Sequence, residues 1–136
     1  MNPYATWFTR TVYTGIAVNM IFVVLLLATP EFLFNLLHMT TPSPIIWARA
    51  AAILLLEISI IYVPVAQDPF RYPIISWMTI FVTRGGGASF FILAVLLFNQ
   101  QLGFLSIALT DTFFGSLEAF LLYRAMQTRG AINAST

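Results

Sequence analysis

Apolar residues run through this chain in four long blocks, separated by short polar or proline-containing breaks. The first block runs from about Thr11 to Ala28 through IAVNMIFVVLLLA, with Arg10 just before it. The second starts near Ile45 and continues through WARAAAILLLEISIIYV to Pro64. The third covers about Ile74 to Phe98, and the fourth about Leu102 to Tyr123, ending at Arg124. Each is close to the ~20 apolar residues that an α-helix needs to cross a bilayer. A charge followed by an apolar run also fits a signal peptide, but three further spans favour an uncleaved first helix.

After the first block, Thr29-Pro30-Glu31 reads as a fresh helix start, with Thr as cap, Pro at the first helical position and an acid in the first turn. The segment EFLFNLLHM that follows is too short to span. Glu31, Asn35 and His38 share one helical face, which predicts a short amphipathic helix over about 30–39 at the membrane interface. Thr40-Thr41-Pro42-Ser43-Pro44 breaks it. The segment Gln67–Pro73 and the run Asn99-Gln100-Gln101 are the remaining turns, and the small, polar tail to Thr136 is expected to fray. The prediction is an all-α membrane protein, one domain over residues 1–136, with four transmembrane helices (about 11–28, 45–64, 74–98 and 102–123) in an antiparallel bundle.

Composition sharpens this. Hydrophobic residues make up 60% of the 136 and charged residues 8%, against roughly a quarter charged in soluble domains. The formal net charge of +1 does not point to nucleic acid. The absence of Cys excludes disulfides, thiolate catalysis and cysteine-ligated metal centres. A single His excludes a bis-His haem within this chain, and no metal site is expected.

Every basic residue is an arginine. An antiparallel bundle of four spans puts Arg10, Arg71, Arg124 and Arg129 on the side of both termini, and Glu31, His38 and Arg49 on the other. The positive-inside rule then places both termini in the cytoplasm. Trp7, Trp47, Tyr62, Tyr72, Trp77 and Tyr123 fall near span ends, as an aromatic belt does.

The informative residues are charges inside the spans: Arg49, Glu57, Arg84, Asp111 and Glu118. A charge at mid-bilayer costs ~2.5–3.5 kcal/mol even on the lenient insertion scale, so these groups are expected to point inward and pair. From the cytoplasmic end, Glu57 lies ~12 Å deep, Arg84 ~15 Å, Asp111 ~20 Å and Glu118 ~9 Å. Arg84 therefore sits level between acids, and pairs with Glu57 or Glu118, while Arg49 reaches Asp111. Such a network either fixes helix register or lines a polar pocket or proton path.

Gly85-Gly86-Gly87 directly follows Arg84. Three glycines weaken a helix by about 1 kcal/mol each relative to Ala. They allow either tight packing, against Gly115 of the fourth span, or a kinked third helix that opens a ligand site beside Arg84. Asn19 lies near the depth of Arg84 and is expected to bond it or a neighbouring helix. The sequence RGGG lacks the Lys and Ser/Thr of a phosphate loop. The 13 phenylalanines, with pairs at Phe90-Phe91 and Phe113-Phe114, suit a lipid-facing surface, a subunit interface or an isoprenoid pocket.

Along Trp47-Ala48-Arg49-Ala50-Ala51-Ala52-Ile53-Leu54-Leu55-Leu56-Glu57 and the YVPVAQDPFRYP turn, the chain resembles small bacterial four-span proteins of the BphX-like group, and more distantly the DoxX-like group. The DoxX-like resemblance implies an accessory role near quinone chemistry. It carries over no catalytic residue.

With no nucleophile–base pair, metal set or cofactor motif, catalysis is not expected. The first reading is a non-catalytic accessory subunit of a larger, energy-converting bacterial membrane complex, whose partners are the lipid bilayer and other membrane subunits. The alternatives are a small proton-coupled transporter and a binder of a quinone or lipid-like ligand.

Overall fold

A computed structural model of the chain describes residues 2–134. It contains helices and no strand among them. Helix α1 spans Pro3–Ala28, α2 Pro30–Leu36, α3 Ile46–Gln67, α4 Pro73–Phe98 and α5 Phe104–Ala134. The four long helices are each long and apolar enough to cross a membrane, and their outer surface is apolar, with Ile21, Val24, Leu54, Ile60, Val82 and Leu96 exposed. The chain is a multi-pass, all-α membrane protein.

Helix α1 starts eight residues before the expected Thr11. Asn2 is the reason: its side-chain oxygen accepts from the amides of Tyr4 (3.1 Å) and Ala5 (3.4 Å), and Pro3 occupies the first helical position. Helix α2 stops at Leu36, short of the expected residue 39, because His38 adopts a left-handed conformation with φ 53°. Helix α3 starts one residue late and runs three past Pro64, which lies in its last turn. Helix α5 continues past Tyr123 to Ala134 where a fraying tail is expected; the final residues 135–136 lie outside the described part. Its extension is held by Arg129, whose guanidinium lies 4.8 Å over the Phe70 ring of the α3–α4 turn.

Contacts at the two ends make the bundle antiparallel. At one end Asn2 Nδ2 donates to the Ala125 carbonyl (2.8 Å) and Thr9 Oγ1 to the Ala66 carbonyl (2.7 Å), tying the start of α1 to α5 and to the end of α3. At the other, the Thr40 amide donates to Gln101 Oε1, joining the α2–α3 loop to the α4–α5 turn. Helix α1 packs on α3 and on α5, and α4 packs on α5. The α3 and α4 backbones stay further apart, and Tyr62 spans the gap, its hydroxyl donating to the Thr79 carbonyl (3.2 Å) and bonding Thr83 Oγ1.

The densest core lies towards the end that carries the start of α1. Phe8, Val12, Tyr62, Val65, Ala66, Ile80, Leu121 and Leu122 form one buried cluster there. Lipid tails are as apolar as these side chains, so close packing and polar contacts, rather than escape from water, select the partners of each helix.

Candidate functional site

Arg84 enters the bundle from an unusual stretch of α4. Between Thr79 and Gly85 the backbone widens to a π-helix. The Thr79 carbonyl explains the change: it accepts from the Tyr62 hydroxyl and from Thr83 Oγ1, side-chain bonds that intrude on the i→i+4 ladder. Sequence reasoning leaves tight packing or a kink at the glycines as alternatives, and gives no sign of an irregularity before them. The helix in fact continues unbroken through Gly86 and Gly87.

The widened turn sets Arg84 at 2% exposure between two acids on α5. Its Nε donates to Glu118 Oε1 (3.2 Å) and Oε2 (3.1 Å), and its Nη1 to Asp111 Oδ1 (3.2 Å). The guanidinium lies between the Tyr62 and Phe114 rings, 5.1 Å from each centroid. Both rings offer a negative π face to the cation. Nη2 is buried and has no hydrogen-bond partner.

Glycines on two helices make room for this cluster, and a glycine on a third packs against it. A Cβ on Gly15 of α1 would overlap Arg84 Nη2, one on Gly87 of α4 would lie 3.0 Å from Asp111 Oδ2, and one on Gly115 of α5 would lie 3.4 Å from Arg84 Cβ. Gly85 and Gly86 do not touch the cluster: a Cβ on Gly85 would meet only the Ile80 carbonyl, at 3.5 Å, and one on Gly86 would meet open space.

Two members of the expected charge network stand apart from it. Arg49 and Glu57 are exposed on α3, and both salt bridges among the described residues belong to Arg84. The pairing of Arg49 with Asp111 is therefore corrected to Arg84 with Asp111. Arg49 and Glu57 do share a broad helical face, but it is the outer one. Ala48, Ala52, Ser59 and Tyr62 carry the inner face of α3. Asn19 bonds Ser59 Oγ (3.1 Å) rather than Arg84.

Sequence reasoning also missed Tyr62, which it assigned to the aromatic belt. Tyr62 is 2% exposed. The available signal was its spacing from Ser59, three residues earlier on the same polar stripe of α3. In the two Phe pairs one ring faces out and one in: Phe90 and Phe113 are exposed, while Phe91 stacks on Phe104 and Phe114 on Arg84.

Beyond the charge cluster, away from the dense core, the four long helices line a cavity of about 300 Å³ that is partly open to the outside, with exposed Leu54 on its rim. Its walls are apolar, and its polar lining consists of Asn19, Thr83, Thr110 and Asp111. Arg84 does not line it. Asp111 thus has one oxygen on the guanidinium and a side chain still 24% exposed. No family model, curated protein or solved structure matches the chain.

Proposed function

We propose that the chain is a non-catalytic accessory subunit of a larger membrane complex, docked through the outer face of α3. One observation carries this reading. Glu57 is the twelfth of the 22 residues of α3, about 16 Å from its start, and it is exposed among exposed Ile53, Leu54, Ile60 and Ile61. A carboxylate facing lipid at that depth costs about 2.5–3.5 kcal/mol on the lenient scale. A neighbouring helix that supplies a basic or hydrogen-bond-donating group removes that cost. Arg49, the fourth residue of α3, is close enough to the helix end to extend its guanidinium to the headgroups.

A second parallel copy is a poor partner. Rotation about the membrane normal would set Glu57 level with the copy's own Glu57, and like charges repel. The reading therefore commits to a different chain with a basic group at mid-membrane. Arg10, Arg71, Arg124 and Arg129 at one end, against Arg49 at the other, support an orientation with both termini in the cytoplasm of a bacterial inner membrane.

The test is photo-crosslinking in native membranes with a crosslinker at Ile60, one turn from Glu57 on the same face. The expected product is a single membrane protein whose crosslinked helix carries Arg or Lys, lost in Glu57→Leu while thermal unfolding in detergent is unchanged. Crosslinks to lipid alone, or an unchanged product in Glu57→Leu, would reject the reading.

A further inference from the structure

The cavity between the four long helices has a chemical bias of its own, although Leu54 belongs both to its rim and to the α3 outer face. Each polar group on its wall presents an acceptor. Thr110 Oγ1 donates its hydrogen to the Ser106 carbonyl (2.9 Å) and keeps both lone pairs for the cavity; Thr83 Oγ1 donates to the Thr79 carbonyl and bonds the Tyr62 hydroxyl, which leaves it one lone pair. Asn19 uses one of its two amide hydrogens on Ser59 Oγ and keeps Oδ1 as an acceptor, its second hydrogen being the one donor on the wall. Asp111 Oδ1 accepts from Arg84, and Oδ2 lies over Gly87, itself part of the cavity wall.

Charge points the same way. One guanidinium faces two carboxylates, so the cluster has a formal charge of −1, and Asp111 is its member on the cavity. The remaining wall is apolar and includes the rings of Phe22 and Phe91. A ligand with only acceptors, such as a quinone, would find a single donor, the second Asn19 amide hydrogen, among acceptors and a negative charge, because the guanidinium does not line the cavity. An anion would be repelled. A volume of about 300 Å³ is at the small end of ligand pockets, which run from about 300 to 1,000 Å³.

We propose that this cavity binds a small lipophilic monocation, a protonated amine on an apolar body, with its N–H groups on Asp111 and the threonine oxygens and its body among Phe22, Leu55 and Phe91. The amine hydrogens satisfy the acceptors and its charge balances the cluster. No bond is made or broken.

The test uses the full chain in lipid nanodiscs, titrated at neutral pH with 2-phenylethylamine, 2-phenylethanol and phenylacetate and followed by calorimetry. The amine is expected to bind saturably, at least tenfold tighter than the alcohol, with no binding of the acid. Asp111→Asn is expected to weaken the amine at least tenfold. Because removal of a charge paired with Arg84 risks misfolding, Val18→Phe serves as a second variant: it fills the cavity, leaves the charge cluster intact and is expected to abolish binding. Equal binding of amine and alcohol, or folded Val18→Phe that binds the amine as the wild type does, would overturn the proposal. Benzyltrimethylammonium, a cation without N–H donors, is expected to bind several-fold more weakly than the amine. Equal binding would refute the hydrogen-bonding part.

Discussion

Gly15 on α1 seats the guanidinium of Arg84 on α4. A Cβ built at Gly15 would overlap Nη2 and stand 3.4 Å from Cζ and 3.6 Å from Glu118 Oε1. The guanidinium has little freedom to retreat, with two acids and two aromatic rings around it. Gly15→Ala is therefore expected to destabilise the bundle by about 1–3 kcal/mol, the range for overpacking a filled interior. The sign is diagnostic, since mid-helix Gly→Ala otherwise gains up to about 1 kcal/mol. Gly86→Ala, which meets open space, is the matched control and is expected to be neutral or stabilising. Equilibrium unfolding in mixed detergent micelles, followed by circular dichroism, distinguishes the two.

Arg84→Met leaves buried Glu118 and half-buried Asp111 without their shared cation. The expected loss is about 3–5 kcal/mol, as for other buried pairs broken on one side. Replacing the whole cluster, as in Arg84→Met with Asp111→Asn and Glu118→Gln, is expected to recover most of that loss, because the cost lies in the orphaned charges more than in the missing attraction. A triple variant no more stable than the single one would mean that the ion pairs themselves hold α4 to α5.

The four spans and their antiparallel order are legible because each apolar run reaches membrane-crossing length. Depth alone sets Arg84 level with acids on the neighbouring helix. Which way a charge faces is another matter. In a soluble helix an apolar stripe marks the inside, but here lipid-facing and core-facing positions are both apolar, so the period that would orient Arg49 and Glu57 is missing. The inner face of α3 is marked by Ala48, Ala52, Ser59 and Tyr62, small or hydrogen-bonding residues rather than more hydrophobic ones. The π-helix was equally hidden, because it arises from a Tyr62 hydroxyl on another helix reaching the Thr79 carbonyl.

Tyr62→Phe removes that hydroxyl and keeps the ring over Arg84. Interhelical hydrogen bonds in membranes average about 0.6 kcal/mol and reach about 1.7, and a loss in that range is expected. Tyr62→Ala also removes the ring contact and the packing between α3 and α4, so about 3–5 kcal/mol is expected, as for buried Phe or Trp truncated to Ala. Unfolding of the two variants under the same detergent conditions checks the order. Equal losses would place the ring outside the energetics of the cluster.

The Asn19–Ser59 bond ties α1 to α3 beside the cavity, and a double-mutant cycle isolates it. Ser59 Oγ accepts from Asn19 Nδ2 at 3.1 Å and donates to the Leu55 carbonyl at 2.7 Å, so the hydroxyl is held in place to receive the amide. Asn19→Leu and Ser59→Ala are each expected to destabilise by about 1 kcal/mol or less, with a coupling of about 0.6 kcal/mol between them. If Asn19 instead bonded Arg84, as their similar depth allows, Ser59→Ala would leave the effect of Asn19→Leu unchanged and the coupling would vanish. The cycle thus decides between two partners at nearly the same level of the bundle.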